Sequence, residues 1–114
     1  MISHLVLMKP RSALSTADRD QLISAFERAT REIRTVRAVR VGRRVTHGAR
    51  YEDRMPDAAD YLVWIDFDNV EGLTTYLGHP AHAELGRRFA EALSTALVYD
   101  FEEVTLDTLR MGSS

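Results

Sequence analysis

The chain has 114 residues, of which 45% are hydrophobic and 28% charged, and a formal net charge of −2. That size and balance describe one ordinary globular domain, and they exclude a disordered polymer and a strongly basic nucleic-acid binder. With no cysteine, disulfides, thiolate nucleophiles and Cys-ligated zinc are excluded as well. Fourteen of the fifteen basic residues are Arg, a bias of GC-rich bacterial genomes that carries little functional weight.

In "ISHLVLM", residues 2–8, Ile2, His4, Val6 and Met8 alternate with Ser3, Leu5 and Leu7, the period of a strand that is apolar on both faces. The run is too short to span a bilayer and lacks a basic leader, so a cytoplasmic location without membrane association is expected. Ser15 or Thr16 then caps a helix of about 17 residues, with Asp18 in its first turn and Leu22, Phe26, Ala29 and Ile33 on its inner face. "VRAVRVGRRV", residues 36–45, reads as a second strand with Gly42 as its bulge.

Residues 46–59 form a polar loop containing Gly48 and Pro56. "DYLVWIDF" is the clearest strand, alternating Tyr61, Val63, Ile65 and Phe67 with Leu62, Trp64 and Asp66. A short helix capped by Asp68 or Asn69 follows. A second segment over residues 80–95 starts at Pro80, well placed in a first turn, and carries Leu85, Phe89 and Leu93 at fours. "LVYDFEEV" is the fourth strand, and residues 105–114 are a tail outside a domain spanning 1–104. The order strand, helix, strand, strand, helix, strand is the βαββαβ arrangement of ferredoxin-like α+β folds.

Two helices cover one side of such a sheet, yet the first and third strands are apolar on both. The economical cover for the second side is the same sheet of another copy, so a homodimer is expected. Charge agrees: residues 31–54 hold eight Arg against three acids, whereas 98–107 hold Asp100, Glu102, Glu103 and Asp107 without a base. The basic second strand of one copy would then lie near the acidic fourth strand of the other.

The chemistry-bearing stretch is "TYLGHPAHAEL", residues 75–85. Pro80 as the first helical residue puts His79 at the cap and His82 in the first turn, where the helix dipole disfavours an imidazolium. Taken singly, Tyr76 reads equally as a helical aromatic, His82 as a structural histidine and His4 as a core one. No metal site is expected: His79 is occupied as a cap, Glu84 points elsewhere, and His47 falls in the polar loop. Phosphate loops, nucleophile elbows and dinucleotide fingerprints are absent, and the Arg run lacks interleaved aromatics, so neither a cofactor nor nucleic acid is expected.

"SHLVLMK", "VRVGRRV", "WIDF", "YLGHPAH" and "VYDF", taken in order over residues 2–101, resemble the stress-responsive A/B barrel (Dabb) family. The resemblance implies ferredoxin-like subunits paired into a dimeric α+β barrel. It also implies, by similarity to plant cyclases of the olivetolic acid type, a cofactor-free aldol cyclisation of a linear polyketide by a Tyr and a His six residues apart. Tyr76 and His82 match that pair and would be catalytic. His4 matches a pocket histidine, whereas a further pocket histidine of those cyclases is replaced by Val63. His82 would remove a proton α to a carbonyl and Tyr76 would take the developing oxyanion. His4, Val6, Met8, Phe26, Ile65 and Leu85 would bind a small apolar carbonyl ligand. The competing expectation is a non-catalytic, stress-associated or structural dimer in which Tyr76 and His82 only pack.

Overall fold

Strand β1 (Ile2–Pro10) sits inside a four-stranded sheet of order β2-β3-β1-β4, with β2 at Val36–Arg43, β3 at Tyr61–Phe67 and β4 at Leu93–Glu102. The computed structural model describes residues 1–112. All three strand pairings are antiparallel. Helices α1 (Thr16–Glu32), α2 (Val70–Leu77) and α3 (Pro80–Ala92) complete the ferredoxin-like α+β fold.

Local chemistry accounts for the boundaries. Ser15 is the cap of α1 and accepts the Asp18 N–H, while Asn69 caps α2 by accepting the Gly72 N–H. Leu93 fits a four-residue helical repeat, but it closes α3 and opens β4, so the helix ends at Ala92 instead of residue 95. The β-prone residues that follow it extend straight into the sheet without a turn. Gly42 is not a bulge: the register of β2 shifts between Val36 and Ala38, and β2 ends at Arg43, two residues earlier than expected. The polar loop contains a 3-10 turn at Arg50–Arg54, and the tail forms one helical turn, α4 (Asp107–Arg110). The last two residues of that tail lie outside the described residues.

The period-two alternation of the strands becomes two unlike faces. Toward the helices, Ile2, Val6, Met8, Val63, Ile65 and Phe67 are buried against Leu22, Ala29, Leu73, Tyr76 and Leu85. Each large side chain so buried contributes about 1.5–3 kcal/mol. Away from the helices, Leu5, Leu7, Leu62 and Trp64 are half-buried, and Tyr99 and Phe101 are exposed at 51% and 55%. On that outer face the Arg40 guanidinium stacks 3.7 Å over the Trp64 ring and bonds Asp66 at 3.1 Å, while the Ser3 hydroxyl donates to Asp66 at 2.9 Å. The Arg37 side chain bonds Asp68 at 2.8 Å. Two of the basic-strand arginines therefore have partners within their own chain, which narrows the charge available to a second copy. No helix among the described residues is long and apolar enough to cross a membrane.

Candidate functional site

Tyr76 lies on the last full turn of α2, and that helix packs at Gly72 against Thr35 and Phe67. A Cβ at Gly72 would rest in ordinary contact with the Thr35 Cβ at 3.4 Å and the Phe67 Cβ at 3.7 Å. Thr35 also donates its hydroxyl to the Gly72 carbonyl at 2.8 Å, tying α2 to the start of β2. One turn further, the Tyr76 ring is 1% exposed and packs on Phe67 with ring centroids 5.2 Å apart.

Gly78 then releases the chain into α3. His79 is the N-cap, its Nδ1 accepting the Ala81 N–H at 3.0 Å, with Pro80 behind it at the position where a missing N–H is harmless. That cap turns His82 toward α2: the Tyr76 and His82 rings meet edge-on at 4.9 Å. His4, from the middle of the sheet, closes the group with its ring 5.7 Å from Tyr76. Three elements thus bring together a phenol and two imidazoles.

The group has a fourth member that strand periodicity alone had not singled out. Asp100 stands directly opposite His4 in the β1–β4 register, and its Oδ1 lies 2.5 Å from His4 Nδ1. Because a carboxylate only accepts, the Nδ1 of His4 carries a proton in this pair. The signal available in the sequence was an acid interrupting "LVYDF" on the face that continues His4. The pairing spans 96 positions and is legible only once the register is known.

The electrostatics assign protonation states. Burial raises Tyr76 to about 12, so the phenol keeps its proton at neutral pH. Burial, followed by the charge of His4, lowers His82 below its ordinary value, and a backbone hydrogen bond to Leu77 partly offsets both. His82 is therefore a neutral imidazole at pH 7. No hydrogen bond acts on the Tyr76 phenol, and the one sealed, unpartnered side-chain polar atom among the described residues is Trp64 Nε1. The Tyr76 oxygen is therefore without a partner and not completely sealed, in a residue that is otherwise buried.

An apolar cavity of about 460 Å³ lies under α1 on the same side of the sheet. Met8, Leu22, Phe26, Val41, Val63 and Leu93 wall it, and Arg19, Glu27 and Thr30 of α1 supply its polar groups. Of the expected ligand-binding residues, Met8 and Phe26 line this cavity, whereas Val6, Ile65 and Leu85 are buried in the core. His4, Tyr76 and His82 group at the other end of β1. Four residues separate His4 from Met8, roughly 13 Å along a strand. Val63 adds to the apolar wall of this cavity. Among the described residues no three His, Asp or Glu side chains cluster in a way that could hold a metal.

Comparison with known proteins agrees with this architecture. The stress responsive A/B barrel domain family matches residues 2–103. Olivetolic acid cyclase of Cannabis sativa is 22% identical over 100 residues, covering 88% of this chain and 94% of the cyclase. Among solved structures, hydroxynitrile lyase from Passiflora edulis superposes with a TM-score of 0.71 at 18% identity, over 91% of this chain and 95% of the lyase. A dimeric ferredoxin-like protein of unknown function from Thermobifida fusca superposes with a TM-score of 0.68 at 20% identity, over 90% of each chain.

Proposed function

Because this chain belongs to the stress-responsive A/B barrel family, we propose that it binds a small carbonyl compound and acts on it by cofactor-free acid/base chemistry. The observation that carries the reading is the unpartnered Tyr76 hydroxyl, held protonated 4.9 Å (ring to ring) from a neutral His82. A cyclase and a lyase among its similar proteins support small-molecule chemistry on this fold.

In the proposed reaction His82 takes the proton α to a ketone carbonyl, the C–H electron pair moves into an enolate, and the Tyr76 O–H donates to the enolate oxygen. Attack of that carbon on a second carbonyl of the same molecule forms the C–C bond of an aldol cyclisation. The proton held by His82 then passes to the new alkoxide, or returns to carbon in an isomerisation. His4, held at Nδ1 by Asp100, is a positioning residue whose other ring nitrogen bonds a substrate hydroxyl or carbonyl. The apolar cavity holds the hydrocarbon part of a polyketide-like substrate, with Val63 in place of a polar contact. The protein works as a homodimer in the cytoplasm.

A second reading, a non-catalytic dimeric protein, is favoured by one observation: Tyr76 is almost wholly buried and the cavity lies apart from it. One experiment separates the two. A medium-chain 1,3-diketone is incubated with the protein in D2O and exchange of its less acidic terminal α protons is followed by NMR, alongside thermal stabilisation of the protein by the same compound. Exchange above background that His82→Ala abolishes supports the chemistry. Neither exchange nor stabilisation across diketones of increasing chain length leaves the packing reading standing.

A further inference from the structure

The segment after β4 makes no use of its own apolar residues. Val104, Leu106, Leu109 and Met111 are exposed at 55%, 86%, 73% and 80%, although one helical turn orders the backbone around them. Leu106 and Leu109 are three apart and share one side of that turn. Four large apolar side chains in eight residues, all in water, form an arm built to be covered.

The outer sheet face offers a seat of matching character. A second cavity of about 460 Å³ opens there, floored by Leu7, Leu62 and Leu97 from three strands and walled by Met55, Pro56 and Ala58 of the β2–β3 connection. Arg43 and Arg44 stand at its rim. Among the described residues Arg43 makes no ion pair, and Arg44 makes only a long one of 3.7 Å to Asp57. The arm is acidic where it leaves the sheet: Glu102 and Glu103 have no ion-pair partner among the described residues, and Asp107 pairs only with its neighbour Arg110.

The arm and the seat are at opposite ends of one molecule. Glu102 stands opposite Ile2 in the register, and the Glu103 N–H bonds the Met1 carbonyl, which directs the chain off the Ile2 end of the sheet. The seat is at the Leu7–Leu97 end. Five residues of extended β4, roughly 17 Å, separate Leu97 from Glu102, and the arm departs in the opposite direction.

We infer that the occupant of this cavity is the C-terminal arm of a second copy. Leu106 and Leu109 enter the pocket, and Glu103 and Asp107 face Arg43 and Arg44 at its rim. A two-fold pairing makes the exchange mutual, so each copy donates one arm, receives one, and the assembly closes. The inference is independent of the chemistry at Tyr76 and His82.

The absence of native cysteine makes the test direct. Full-length Ala58→Cys protein is mixed with full-length Leu109→Cys protein and oxidised with copper phenanthroline; a disulfide-linked heterodimer on a non-reducing gel is expected, because the two thiols then belong to different copies. No heterodimer from the mixture, or a monomeric disulfide in the chain carrying both substitutions, overturns the inference. A chain ending at Val104 gives a second readout by sedimentation. Its dimer dissociation constant is expected to rise at least about tenfold, the loss of a single strong anchor; an unchanged constant, or a full-length chain that sediments as a monomer, also overturns it.

Discussion

Replacing Tyr76 by Phe deletes one oxygen and keeps the ring, which separates chemistry from packing. The usual penalty of about 1–3 kcal/mol for losing one member of a buried hydrogen bond comes from the orphaned partner. Tyr76 has no such partner, since burial alone acts on its phenol. The Phe variant should therefore match the parent in urea unfolding to within about 0.5 kcal/mol. Tyr76→Ala, by contrast, removes a ring in contact with Phe67, His4 and His82, at about 3–5 kcal/mol. For the reaction the order reverses in importance: losing one donor to an enolate oxygen costs roughly a hundredfold or more in rate. Urea titration of both variants, with diketone α-proton exchange in D2O on the Phe variant, reads the two effects separately. A Phe variant that unfolds at clearly lower urea would show that the hydroxyl is tied to the protein, and an unchanged exchange rate would remove the phenol from the chemistry.

Other outcomes follow from neighbouring groups. His82 is lowered below its ordinary 6.5 by burial and by His4, so the unfolded chain binds this proton more readily; stability should fall as pH drops below about 6.5 and level off below the folded value. His82→Gln should flatten that part of a urea-stability profile taken from pH 8 to pH 4.5. Asp100→Ala removes the acceptor of His4 Nδ1–H; because Asp100 is 42% exposed, the expected loss is no more than about 1 kcal/mol, and the hydrogen-bonded Nδ1–H resonance of His4 should be lost from the proton spectrum. Val63→Phe fills part of the apolar cavity and should abolish thermal stabilisation by medium-chain diketones, while diketone-free stability falls by no more than about 3 kcal/mol.

Strict alternation in "DYLVWIDF" and the Leu22–Phe26–Ala29–Ile33 repeat were enough to place β3 and α1, because each of those periods admits one backbone geometry. The α3–β4 junction was not legible for the converse reason: Leu93 satisfies the helical repeat and the strand at once. At the site, Pro80 announced the His79 cap and hence the turn that aims His82 at Tyr76. Asp100 was hidden by distance along the chain, since its acid reads locally as part of a charged run and acquires a partner only through the β1–β4 register. The cavity was hidden by geometry, since the gap between α1 and Val41 depends on how far the helix stands off the sheet, which no spacing of residues encodes.

The single tryptophan of the chain sits on the outer sheet face with a guanidinium stacked on its ring and an indole N–H that is dry and unbonded. Its emission is therefore an intrinsic optical gauge of that surface, readable without a dye. A concentration-dependent shift in its wavelength would trace the meeting of two sheets, whereas ligands under α1, on the opposite side, would leave it dark to their arrival.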